Sequence, residues 1–429
     1  MILSMRLKFL RVFQRQIDSS KKMNSDFRIK EFMLNPAKSV NQIEVCGPLV
    51  KIKGSELVVE FKVSSNVLPD KLYFAVDEKY KDFIDNSLNA ALVALLIPAM
   101  RIGADLYLTG DISEKLYLSS HLKLQHLVKK VLGYEPVQIR HSGNLLNEAP
   151  VARRSATGFS GGVDSYSILH DYFFQPINRG ATIDILVFNN VGANGTTAES
   201  TLFERRKAQA EVAADTIGLP LMVINSNMDD FYALYSDLHF FKTHTFRNSA
   251  AAHLISRGVS EYKYAAACGY SDVKVATAET IGYIDPITLS LLSSEKLDLQ
   301  SEGAQYTRSE KIGQIASNPI VQENLHVCVD HDASGNCSVC QKCVRTLLVI
   351  ELLGYLNDFR KSFNIDRYLS VRNERAVKFM VDNDSFSEDI QSMMRQHDLK
   401  LGKWNTAEVV GKRTWRRIKT GIKGMVGKG

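Results

Sequence analysis

A chain of 429 residues, 45% apolar and 23% charged, has room for two or three domains with a buried core. It contains no run of about 18 apolar residues, which excludes a spanning helix. Its net charge of +6 is uneven: eight Lys/Arg and one Glu lie between Lys403 and Gly429, the remainder is close to neutral, and nucleic acid is disfavoured as a partner of the core.

Residues 1–35 form a basic N-terminal extension. "MILSMRLKFLRVFQRQID" mixes Arg and Lys with Leu, Phe and Val and lacks the apolar core and cleavage site of a signal peptide. It reads as an upstream extension, with Met23 as an alternative start, or as an amphipathic helix at a membrane surface. Residues 36–150 predict a small α+β module of its own, with no recognisable chemistry. Strand alternation in "LVKIKGSELVVEFKV" turns at Lys53-Gly54. An apolar helix over Asn86 to Arg101, a strand in "ADLYLTG" and an amphipathic helix in "EKLYLSSHLKLQHLVKKVLG" follow.

Over residues 151–360 the pattern becomes alternating strand and helix. In "VDSYSILHDYFF" the side chains of Ile168, Leu169, Tyr172 and Phe173 share one helical face. Buried strands are expected in "IDILVFNN", "LPLMVIN" and "YKYAAACG", with helices across Glu199 to Gly218 and around Asn248 to Ser256. This predicts an α/β fold with a Rossmann-like parallel sheet, helices covering both faces. Ligands of such sheets sit at the carboxyl ends of the strands, so Gly158 to Ser165, Asn189 to Gly192 and Cys268 to Ser271 should share one edge. The strand before Gly158 reads "VARRSATGF"; Arg153 and Arg154 make it short or place its start after them.

"GFSGGVDSYSIL" (Gly158 to Leu169) is a strand-to-helix turn suited to phosphates. Gly161 and Gly162 let backbone N–H groups approach an anion, and the helix start adds partial positive charge. Ser160 and Ser165 offer hydroxyls; Asp164 can cap the helix or help hold Mg²⁺. The Lys of a Walker loop is missing. Ser-Gly-Gly-Val-Asp-Ser, residues 160 to 165, instead resembles the pyrophosphate loop of the ATP pyrophosphatase superfamily. The resemblance implies ATP bound through Phe159, Ser160, Gly161, Gly162, Val163, Asp164 and Ser165. It also implies ATP-dependent activation of a carbonyl or carboxyl oxygen.

Cys328, Cys337, Cys340 and Cys343 form a C-x8-C-x2-C-x2-C arrangement, suited to a structural Zn²⁺ or to an iron–sulfur cluster. Four clustered thiols of six point to metal rather than disulfides, and to a reducing, cytoplasmic location. The apolar helix "VRTLLVIELLGYL" would pin the knuckle to the core. This cluster downstream of such a loop, with Arg345 two residues after the last Cys, resembles 7-cyano-7-deazaguanine synthase over about residues 155 to 350. The likeness extends to an Arg-Asn pair at a helix start, Arg247 and Asn248, and to a helical Lys, Lys311. It implies Arg247, Asn248, Lys311 and Arg345 as nucleotide or substrate contacts, and Ser160, Asp164 and Lys311 as catalytic candidates. A structural Zn²⁺ on the four cysteines and a carboxylate converted with ammonia, through an amide, to a nitrile are also implied. "CGYSDVKVATAET" and "IGYIDPITL" depart from the family, so a different small-molecule carboxylate is an expected substrate.

The loop string also resembles asparagine and GMP synthetases, but no glutaminase Cys stands at the N-terminus, and Cys46 and Cys268 read as small buried residues. Free ammonia or an amine is then the nucleophile. A tRNA-thiolating relative, an enzyme of a defence or surface-polysaccharide system and a partner-binding protein with a degenerate ATP site are the alternatives. Residues 361–429 are expected to hold a helical segment and a basic tail, in which Trp415, Ile418, Ile422 and Met425 fall at helical spacing. That tail suits weak contact with a membrane surface, or stays solvated because of its five glycines.

Overall fold

Ile185 to Phe188 is apolar at every position and buried throughout. Such a strand belongs inside a sheet covered on both faces. The computed structural model describes residues 42–176, 182–193, 201–330, 334–382, 384–397 and Gly411. The basic segment 1–35, the tail from Lys403 apart from Gly411, and His331 lie outside these residues.

The strands are β1 (Gln42–Lys53), β2 (Glu56–Ser64), β3 (Lys71–Asp77), β4 (Asp105–Thr109), β5 (Ile112–Ser113), β6 (Ile139–His141), β7 (Leu145–Leu146), β8 (Ser155–Gly158), β9 (Ile185–Asn190), β10 (Leu221–Ser226), β11 (Glu261–Ala265) and β12 (Asp298–Glu302). Ten of them form one sheet in the order β12-β11-β8-β9-β10-β3-β2-β1-β4-β6. From β12 to β10 all pairs are parallel. β10 to β1 run antiparallel, and β4 and β6 add parallel strands at the far edge. The protein is therefore α/β with a large, mostly parallel central sheet, compatible with the expected Rossmann-like arrangement.

The helices are α1 (Asn89–Ile102), α2 (Glu114–Ser119), α3 (Gln125–Leu132), α4 (Val163–Leu169), α5 (Thr201–Ile217), α6 (Met228–Tyr232), α7 (Phe240–Leu254), α8 (Asp285–Leu292), α9 (Arg308–Ile315), α10 (Pro319–Asn324), α11 (Gln341–Leu352), α12 (Ile365–Val381) and α13 (Ser385–Gln396). Period-2 alternation divides the core between the two faces. Ile185 and Val187 of β9 face one layer with Met222 and Ile224 of β10. Leu186 and Phe188 face the other, with Val163 and Leu169 of α4 and Leu347 and Leu348 of α11.

Within residues 36–150, β5 and β7 pair in a small two-stranded sheet, but β1 to β4 and β6 do not form a sheet separate from β8 to β12. β3 pairs with β10, Ala75 opposite Asn225 and Phe74 opposite Ser226, so these strands extend the same sheet. That pairing covers an edge β10 would otherwise leave open. Residues Asn89 to Met100 of α1 are buried throughout, and the helix packs against α7. A helix apolar all round requires such complete enclosure. The long amphipathic helix foreseen over residues 114–133 is interrupted by a π-type turn, Ser120–Leu124, between α2 and α3. Arg153 and Arg154 precede β8, which is short, and the Arg154 guanidinium lies 5.4 Å from the Phe83 ring centre. Among the described residues no helix is long and apolar enough to cross a membrane.

Candidate functional site

The chain runs from β8 outward through β9 to β10, then crosses back to place β11 on the other side of β8. A crevice at the carboxyl ends is the geometric consequence of that reversal. A cavity of about 410 Å³ lies there, lined by Gly158 from β8, Asn189 from β9, and Tyr262 and Tyr264 from β11.

The Ser160–Ser165 turn forms one wall. Gly161 has φ +71°, a left-handed conformation that favours glycine, and its carbonyl accepts the His326 N–H at 2.8 Å. Gly162 is the N-cap of α4, and Ser165 Oγ donates to the Gly162 carbonyl at 3.0 Å. Phe159 is buried edge-to-face on Tyr166, with ring centres 5.3 Å apart. Ser160 is exposed and lines the cavity.

Asp164 lies in the first turn of α4. Its carboxylate pairs with Arg308 at 2.8 Å and Lys311 at 3.0 Å. Burial works against its ionisation, but the two cations outweigh burial and hold the carboxyl below its ordinary range. Lys311 is buried behind it, its ammonium also donating to the Ala266 carbonyl at 2.6 Å. Arg308, one turn earlier on α9, is the residue that reaches the cavity.

Arg308 was not singled out by sequence, and neither were Arg206 of α5 and Lys342 of α11; with Arg345 they bring four cations to the lining. Asp164 is the one Asp or Glu among the described lining residues. Burial, then the neighbouring Arg308 charge, pulls the Arg345 guanidinium down to about 10, and its Nε has no hydrogen-bond partner. Burial and the Arg206 charge pull His326 down to about 4, leaving its ring neutral near pH 7. The wall is therefore an excess of fixed positive charge in a concave site, the condition for attracting a polyanion.

The opposite lobe is neutral. Asn189 Nδ2 donates to Asn248 Oδ1 at 3.0 Å, and Asn248 Nδ2 donates to the His244 carbonyl at 2.9 Å. His244 Nδ1 and Tyr264 OH share a hydrogen bond of 2.7 Å. Burial, aided by Arg247, lowers His244 to about 4, and burial raises Tyr264. Both groups are uncharged near neutral pH.

Arg247 and Asn248 project to different places. They lie mid-helix in α7, which begins at Phe240 and not beside them, and consecutive helical residues point about 100° apart. Asn248 lines the cavity. Arg247 is 1% exposed and bonds to Thr243 Oγ1, the Val191 and Leu238 carbonyls and Asp229, at 2.5 Å for the last. It fixes the turn after β9, where Gly192 has φ +111° and a Cβ would fall 2.0 Å from Arg247 Nη1. The loop with Cys268 contributes no lining residue from Cys268 to Ser271, and burial pushes that thiol up to about 11.

The four cysteine sulfurs lie within 4.8 Å of one another. The Cys328–Cys340 and Cys337–Cys343 separations are 3.9 and 4.0 Å. A tetrahedral metal with sulfurs at about 2.3 Å requires edges of roughly 3.8 Å, so the set fits one metal ion. Backbone N–H groups of Asp330 and Cys337 point at Cys328 Sγ, and that of Cys340 at Cys337 Sγ, as thiolate ligands require.

The chain matches no protein-family model, and no curated protein matches it.

Proposed function

We propose that the protein binds ATP in the cavity and uses it to activate a carboxylate or amide oxygen for attack by ammonia or an amine, forming a C–N bond. The observation that carries this reading is the Ser-Gly-Gly-Val-Asp-Ser turn at the sheet's reversal point, facing four cations across one cavity. In this reading the loop N–H groups, Ser160, Arg308, Lys342 and Arg345 hold the phosphates and stabilise charge that develops as they depart. Asp164 is the carboxylate offered to Mg²⁺, with one of its two ion pairs given up in exchange. Asn189, Asn248 and Tyr264 line the side left for the base or the acid. The four cysteines hold a structural Zn²⁺, with all four metal positions filled by protein. The resemblance makes 7-carboxy-7-deazaguanine the first acid to try.

The test is mass spectrometry of purified protein with Mg-ATP, ammonium and that acid, against Ser160→Ala and Asp164→Ala variants. Amide or nitrile formation that needs the loop supports the full reading. ATP turnover without conversion moves the substrate to another carboxylate, and no binding of ATP refutes the reading.

A further inference from the structure

The cationic wall is supported by the chain beyond the cysteine group. α13 packs on both α9 and α11, the helices that carry Arg308 and Arg345. It is held at its start by Asp384, whose side chain caps it, and by Asp389, which accepts the backbone N–H of Ser309 at 2.8 Å. Phe386 stands between these two anchors. Its ring centre lies 4.2 Å from the Arg345 guanidinium carbon and 5.7 Å from that of Arg308.

One aromatic ring thus serves both arginines. The two differ in what else restrains them. Arg308 has its ion pair with Asp164, whereas the Arg345 Nε has no hydrogen-bond partner. Long cationic side chains lose rotamer freedom when they bind, and that loss weakens a site built from them. A guanidinium stacked on a ring is restrained through its flat face, while its N–H donors point outward in its own plane. Asp384 and Asp389, on the same end of α13, add longer-range attraction for Arg345.

We propose that Phe386 is a positioning residue for phosphate binding, holding Arg345 and Arg308 with their donors directed at the cavity. The helical segment after the cysteine group is then part of the anion site. The inference rests on the reading of the cavity as a nucleotide site, and the test separates the two. ATP and pyrophosphate binding are measured calorimetrically on the full chain carrying Phe386→Ala, Phe386→Leu or Phe386→Trp, each with and without Arg345→Ala. Leu keeps apolar volume without a π face, and Trp keeps the face.

The expected result is binding weakened about tenfold by Ala and by Leu, equivalent to about 1.4 kcal/mol, with Trp within about twofold of the parent. In the Arg345→Ala background the Phe386→Leu loss should fall below about threefold. Full affinity in Phe386→Leu means that the residue only fills space, and overturns the proposal. An undiminished loss in the Arg345→Ala background overturns it as well. A parent protein that binds neither ATP nor pyrophosphate overturns the nucleotide reading itself, and this inference with it.

Discussion

Asp164→Asn tests the charge balance of the cavity directly. Asparagine keeps the shape and one acceptor oxygen but removes the negative charge shared by Arg308 at 2.8 Å and Lys311 at 3.0 Å. Lys311 retains the Ala266 carbonyl, so the damage is electrostatic more than a lost hydrogen bond. Breaking a buried pair on one side costs about 3–5 kcal/mol. The Asp164 side chain is 26% exposed, which places the cost near the low end, about 3 kcal/mol. The carboxyl ionises more readily folded than unfolded, so its stabilisation is present above the ordinary carboxylate range and is lost as pH falls through the folded value. Urea unfolding at pH 7.5 should show the variant less stable by about 3 kcal/mol, with the gap closing below about pH 4. Pyrophosphate should restore more stability to the variant than to the parent, because it meets an uncompensated cationic wall. A variant within about 1 kcal/mol of the parent, or one that gains less from pyrophosphate, refutes the reasoning.

The remaining expectations concern the metal group and two buried ionisable sites. Elemental analysis should find one zinc ion per chain, lost with several degrees of melting temperature in Cys343→Ser. Burial raises the Asp285 carboxyl to about 7, against a hydrogen bond from Thr245 that lowers it. The folded state therefore keeps a proton that the unfolded state releases near pH 4, and stability falls as pH rises from about 4 to about 7. Asp285→Asn should be the more stable protein at pH 8, by up to about 4 kcal/mol in chemical denaturation, and equal to the parent below pH 4. Arg247→Met should cost about 3–5 kcal/mol by stranding Asp229. ATP affinity of the folded Arg247→Met protein should stay within about threefold, whereas direct nucleotide contact by Arg247 would lower it much further.

Much of the frame was legible because it is encoded locally. The apolar run of β9 marks an inner strand, the Gly-Gly turn lies where strand gives way to helix, and the cysteine spacing brings four sulfurs together. What failed to show in sequence depends on contacts between distant segments. No strand is foreseen over residues 71–77, and nothing local to β3 makes β10 its neighbour. Arg247 and Asn248 are neighbours in sequence, but on a helix adjacency separates their side chains. Arg308 with Lys311, and Lys342 with Arg345 and Thr346, fall at spacings of three and four on α9 and α11. Those were signals of common helical faces, but nothing local said that the two helices converge on one cavity.

The same dependence explains how a glycine-rich turn keeps a defined shape. Two consecutive glycines raise the entropy lost on ordering, so a turn of fixed shape there needs an external support. The His326 N–H supplies it by bonding to the Gly161 carbonyl, and Asn336 Oδ1 then receives the N–H groups of Val327 and Cys328. Cys328 lies beside Cys340 at the N-cap of α11, and Cys343 is one residue after Lys342 and two before Arg345. Holding the four sulfurs together therefore fixes the distance between the loop's support and the cations across from it. Most of this connection runs through backbone groups and cysteines, so the loop and the knuckle can be recognised separately in sequence while their mechanical link cannot.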